Sequence, residues 1–165
     1  MQTVNFIKTE DILKKINALF KIEKQKLTAL FPDADIEHVG GTSVPGSLSK
    51  GDLDINIRVA PENFEKTVET LKTLYKINQL NNWSKGFASF KNEARELSIQ
   101  VTAISSPEDY FVAQRDYLKS HPKKVVELNT LKEKFEDKSM DEYRKEKEEF
   151  FEKLNTHFIT PDPRT

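Results

Sequence analysis

The chain has 165 residues, no cysteine, 26 basic and 27 acidic side chains, and a formal net charge of −1. The missing cysteines exclude disulfides and thiolate zinc sites, and the even charge balance excludes a broad nucleic-acid surface or a general attraction to anionic membranes. With 36% hydrophobic and 32% charged residues, the expected organisation is a single domain over 1–165, with a sheet-containing core at about 1–105 and a helical part at about 107–158.

The N-terminal stretch lacks the uninterrupted apolar run of a signal peptide, and no segment could span a bilayer, so a cytoplasmic protein without membrane contact is expected. Ile12, Ile16, Phe20, Leu27 and Phe31 recur at near-helical spacing and predict a helix over about 9–31. Pro32-Asp33 stops it, and Ile36, His38 and Val39 predict a short strand. Four glycines and a proline between Gly40 and Gly51 predict a structured loop. Residues 52–59 then alternate: Leu53, Ile55, Ile57 and Val59 on one face, Asp52, Asp54, Asn56 and Arg58 on the other. Pro61 opens a helix striped by Phe64, Val68, Leu71 and Tyr75. Strands follow near 76–80, 86–91 and 95–103, and three helices after Pro107, the last opened by a Ser139–Glu142 capping box. The Lys/Glu-rich run 131–153 reads as a solvated helix face.

Asp52 and Asp54 stand at i and i+2 of a strand, so their side chains project from one face with Cβ atoms roughly 6–7 Å apart. Carboxylates at that spacing suit Mg²⁺, which completes its octahedron with water and phosphate oxygens. Upstream, Gly40-Gly41-Thr42-Ser43 offers close backbone N–H groups and hydroxyls to a phosphate tail. The bland reading is that the aspartates are a solvent face and the glycines a tight turn. Lys50, just before the acidic strand, reads as a phosphate contact or a balance for the aspartates. Arg58 reads equally as an anion-orienting group or an ordinary ion-pair partner. His38 and His121 read as structural, and Trp83 as partly buried at a hairpin tip or site rim.

The run His38-Val39-Gly40-Gly41-Thr42-Ser43-Val44-Pro45-Gly46, with Lys50 and Asp54-Ile55, resembles the signature of the GrpB family, within the nucleotidyltransferase superfamily by fold. Similarity continues at Arg115-Asp116-Tyr117-Leu118, His121-Pro122, and Tyr143 with Lys147 and Phe150, covering about 34–152. The resemblance implies an α+β fold: a nucleotidyltransferase-like small mixed β-sheet packed with helices, plus a C-terminal helical segment. It also implies cleft roles for Lys50, Tyr143 and Lys147. Two positions depart from the family pattern: Gly41, where serine is common, and Asp52, where an apolar residue is common. Active nucleotidyltransferases use a third carboxylate from a neighbouring strand; Glu96 is the acidic candidate on 95–103, with Ser98 or Gln100 as the alternative occupant.

The leading expectation is a Mg²⁺-dependent nucleotidyltransferase acting on a small molecule. In it Asp52 and Asp54 are catalytic and metal-binding, with Glu96 as a further metal ligand. Gly40, Gly41, Thr42, Ser43, Lys50, Arg58, Tyr143 and Lys147 hold the nucleotide or another small phosphorylated molecule. The alternatives are a non-catalytic nucleotide- or coenzyme-binding protein, and an interaction module built on the charged helices.

Overall fold

The alternating segment at 53–59 becomes the pivot of a five-stranded mixed sheet in the computed structural model, which describes residues 2–158. The strands are β1 (Thr3–Val4), β2 (Ile7–Lys8), β3 (Asp35–Val39), β4 (Leu48–Ser49), β5 (Leu53–Val59), β6 (Lys76–Ile77), β7 (Phe87–Asn92), β8 (Leu97–Ala103) and β9 (Lys138–Ser139). The helices are α1 (Leu13–Leu30), α2 (Phe64–Lys72), α3 (Phe111–Ser120), α4 (Pro122–Lys134) and α5 (Met140–Asn155). The main sheet has the order β3-β5-β8-β7-β6, parallel only between β5 and β8. The fold is α+β, as the resemblance implies.

One face of this sheet is apolar because every second residue is apolar. Leu53, Ile55 and Ile57, with Ile99, Val101, Ala88 and Phe90, are completely buried and form the main core with Ile16, Leu27, Val68 and Leu71 of α1 and α2. Within that core Glu23 of α1 is fully buried and satisfied by Arg95 and by the Tyr75 hydroxyl at 3.2 Å. Trp83 packs at a tilt against this layer, its ring centroid 5.2 Å from that of Phe90 and its indole N–H donating to Asn78 O. That is the partial burial expected of it.

The helical half lies across part of the opposite, polar face. Arg115 of α3 donates to Glu37 at 2.6 Å and to the His38 carbonyl at 3.0 Å, pinning α3 to β3. Helices α3–α5 have a core of their own, Leu118, Val125, Leu128 and Leu154, into which the glycine-loop residue Val44 inserts. Ser139 caps α5 by accepting from Glu142 N at 3.3 Å.

Two pairings were not visible in the sequence. Strand β1 pairs with β9, and β2 with β4, each over two residues. They bind the N-terminal segment to the helical half and to the glycine loop. No described helix is long and apolar enough to cross a membrane.

Candidate functional site

Strand β3 ends at Val39, and Gly40 turns the chain with φ +77°, a left-handed conformation that favours glycine. One 3₁₀ turn, Gly41–Ser43, follows and returns the chain toward β5, so the turn lies against the start of that strand. The contact is close: a Cβ on Gly40 would fall 2.1 Å from Asp54 Oδ2. Glycine is what allows the acidic strand and the turn to share this space.

The turn's hydroxyls were expected as phosphate donors, and the structure instead binds both within the fold. Thr42 is 2% exposed, and its Oγ1 donates to the Asp52 carbonyl at 3.1 Å. Its single proton being used there, it accepts from His38 Nε2–H at 2.9 Å, which fixes that imidazole's tautomer. Burial first, then the Lys119 and Arg115 charges, lowers the His38 pKa to about 4, so the ring is neutral. Ser43 Oγ donates to the Gly40 carbonyl. The turn therefore presents its backbone: the Gly41 and Thr42 amides open the 3₁₀ turn and have no partner within it.

Asp52 and Asp54 are each partly buried. Burial raises the Asp52 pKa against the pull of Lys50, and Glu96 adds a smaller upward push. Burial likewise pushes Asp54 up to about 6, helped by the Asp52 charge and opposed by Lys147, Lys50 and the Gln100 amide. Lys50 and Lys147 thus both act on the carboxylates. Burial lowers the Lys147 pKa, with Lys50 repelling it and Asp54 attracting it.

Three expected members of the site are engaged with other partners. Arg58 is fully engaged: Nε and Nη2 donate to the two Asp109 oxygens at 2.7 and 2.8 Å, and Nη1 to Asp35 at 2.8 Å. Tyr143 is 2% exposed and packs with Val4, Phe135 and Met140, its ring 5.1 Å from that of Phe6. It supports Lys147, whose Nζ lies 5.8 Å from the ring centroid, rather than facing a ligand itself. Glu96 sits in a left-handed conformation just before β8, with an exposed side chain 3.7 Å from Lys15 of α1.

The neighbouring strand supplies Ser98 opposite Asp54 and Gln100 opposite Asn56. Gln100 Nε2 donates to Ser98 Oγ at 3.0 Å, while its buried Oε1 has no partner. The described residues contain no group of three His, Cys, Asp or Glu side chains able to hold a metal. They do offer hard oxygens that fit Mg²⁺: two carboxylates whose charge is poorly solvated, and the unpartnered Gln100 amide oxygen.

Sequence reasoning missed the α4 contribution. Asn129 clasps the loop twice, accepting from Leu48 N at 2.9 Å and donating to the Gly46 carbonyl at 2.7 Å. Lys132, 4% exposed, donates to Ser47 Oγ at 3.2 Å and to the Leu48 carbonyl. Burial first, then repulsion from Lys147 and Lys50, lowers its pKa to about 7 against the attraction of Asp54. The run 131–153 is therefore not solvated throughout, and the signal was present: Val125, Leu128, Lys132 and Phe135 lie on one buried stripe. From the other side Thr9 N donates to Ser47 O at 3.2 Å and Glu10 accepts from Gly46 N at 2.7 Å. The loop is held at both flanks.

A family model described as GrpB protein matches residues 7–157. A UPF0157 protein of Vibrio cholerae is 33% identical over 154 residues, spanning 92% of this chain and 81% of its own. The crystal structure of the conserved protein GrpB from Enterococcus faecalis superposes with a TM-score of 0.67 at 23% identity, covering 87% of this chain and 95% of that one. The MgGTP-bound Cid1 poly(U) polymerase superposes with a TM-score of 0.52 at 14% identity over 76% of this chain and 42% of its own. At that identity the likeness is one of fold, a nucleotidyltransferase-like sheet with its helices.

Proposed function

The chain belongs to the GrpB family, and from that premise we propose that its cleft binds a Mg²⁺-complexed nucleotide and transfers the nucleotidyl group to a hydroxyl or phosphate of a small molecule. One observation carries the reading: the Asp54 carboxylate lies against the glycine turn, whose Gly41 and Thr42 amides have no partner within it, and Asp52 and Asp54, both partly buried and raised in pKa, feel the charges of Lys50 and Lys147. A fold shared with a nucleotide-bound polymerase supports it.

In this reading Asp52, Asp54 and Gln100 Oε1 would hold the metal, which would supply charge neutralisation for the phosphates and Lewis-acid activation. The Gly41 and Thr42 amides and the Lys50 and Lys147 ammonium groups hold and orient the phosphates. The acceptor oxygen attacks the α-phosphorus, and pyrophosphate leaves. Arg58, bound by Asp109 and Asp35, and Tyr143, packed with Val4, Phe135 and Met140, are structural in this reading.

A second reading, binding of a nucleotide or coenzyme-like ligand without turnover, is favoured by one specific feature. On β8 the residues facing the acidic strand are Ser98 and Gln100, neither of them an acid. Pyrophosphate release from each of the four nucleoside triphosphates, measured with small hydroxyl and phosphate acceptors, separates the readings. Release abolished by Asp54→Asn supports transfer; saturable binding with no release leaves the second reading.

A further inference from the structure

We propose that Lys132 is an anion-binding residue of this cleft, a buried ammonium behind the glycine turn whose counter-charge is a phosphate group of the ligand. This deepens the phosphate-binding part of the reading above and rests on it.

Lys132 is 4% exposed, yet both of its hydrogen-bond partners, Ser47 Oγ and the Leu48 carbonyl, are uncharged. Among the described residues no carboxylate lies within ion-pair distance of its Nζ. An ammonium taken out of water without an opposite charge is unfavourable, and buried charges in folded proteins are ordinarily paired. Its surroundings add to the imbalance, since Lys147 and Lys50 repel it and Asp54 alone attracts it. Its position gives the imbalance a use. A Cβ on Gly41 would lie 3.6 Å from Nζ, so the first residue of the turn leaves the ammonium beside its own backbone. Asn129, one helical turn earlier, makes two neutral hydrogen bonds to the same loop, and Thr9 and Glu10 hold it from the other side. The charge on Lys132 is surplus to that bracing.

The test uses the full chain and inorganic tripolyphosphate, with MgATP as a second probe. Lys132→Met keeps length and apolar packing while removing the charge. It is expected to bind tripolyphosphate at least about 30-fold more weakly, with partial recovery in Lys132→Arg. Without anion its melting temperature is expected to hold or rise, because an unpaired buried charge has been removed. Asn129→Ala is expected to do the reverse, lowering the melting temperature and leaving affinity within about threefold. A Lys132→Met variant that melts lower with unchanged affinity, or loses both without recovery in Lys132→Arg, makes the residue a loop brace and overturns the proposal. Lys132-dependent tripolyphosphate uptake alongside MgATP binding indifferent to Asp54→Asn leaves the anion site standing and removes the nucleotidyl reading. A wild type that takes up neither probe overturns both.

Discussion

The carboxylate of Asp54 fills the space where a side chain on Gly40 would begin, 2.1 Å from Oδ2 and 2.8 Å from Cγ to the position of a Cβ. Because Gly40 also has φ +77°, alanine there is strained twice, by its own backbone and by the collision. Gly40→Ala is expected to destabilise the chain by about 3 kcal/mol in urea unfolding and to displace Asp54 from the turn, abolishing magnesium uptake. A variant of wild-type stability that still binds magnesium would show that the contact carries no weight.

The same burial that brings Asp54 under the turn makes its charge unfavourable in the free protein. Its folded pKa of about 6 exceeds the ordinary 3.8, so its stabilising contribution is present below 3.8 and lost as pH rises through about 6. Asp54→Asn removes that loss, and at about pH 8 the variant is expected to be more stable by up to about 3 kcal/mol, the gain vanishing near pH 4. His38 works in the opposite sense. With its pKa lowered from 6.5 to about 4, it contributes stability above 6.5 that is lost as pH falls through about 4. Urea midpoints against pH should therefore show a steeper acid limb in Asp54→Asn than in the wild type. Parallel curves would contradict the Asp54 assignment, and an Asp54→Asn curve that stays flat between pH 6.5 and 4 would contradict the His38 one.

Arg58 separates a structural pair from an anion site. Asp109, whose side chain is 6% exposed, depends on it for two hydrogen bonds. Arg58→Met is expected to destabilise by about 3 kcal/mol through the stranded carboxylate. Nucleotide affinity, by titration calorimetry under folded conditions, is expected to stay within about twofold of wild type. A fall in affinity without loss of stability would return Arg58 to the phosphate-binding set.

Gln100 tests the composition of the cation site. Gln100→Glu replaces an unpartnered amide oxygen with a carboxylate on the strand beside Asp54. Magnesium affinity is expected to rise about tenfold, and Gln100→Leu to lower it by a similar factor. Equal affinities in all three proteins would remove Gln100 from the site.

Much of the fold was legible because burial leaves a period. Leu53, Ile55, Ile57 and Val59 announced a strand with one buried face, and Phe64, Val68, Leu71 and Tyr75 a helix stripe, and all eight are buried. The Ser139–Glu142 cap was a local pattern with a local cause. Four of the five two-residue strands, β1, β2, β4 and β9, show no period in the sequence and exist only through their partners. The site was legible where chemistry and backbone coincide, at Gly40 and Asp54, and less so where hydroxyls or charges choose partners across the fold. Thr42 has its proton taken by the Asp52 carbonyl, and Arg58 finds Asp109, 51 residues along the chain. Lys132 was hidden because a lysine in a Lys/Glu-rich helix reads as solvated until its stripe is compared with Val125 and Leu128.

Binding of a magnesium–nucleotide complex by Asp54 and its neighbours is decided by calorimetric titration of the four nucleoside triphosphates with Mg²⁺ into wild type and Asp54→Asn. Saturable, magnesium-dependent heat in the wild type, absent from a folded Asp54→Asn, is the predicted result. Equal heats in both proteins, or none in the wild type, would contradict it.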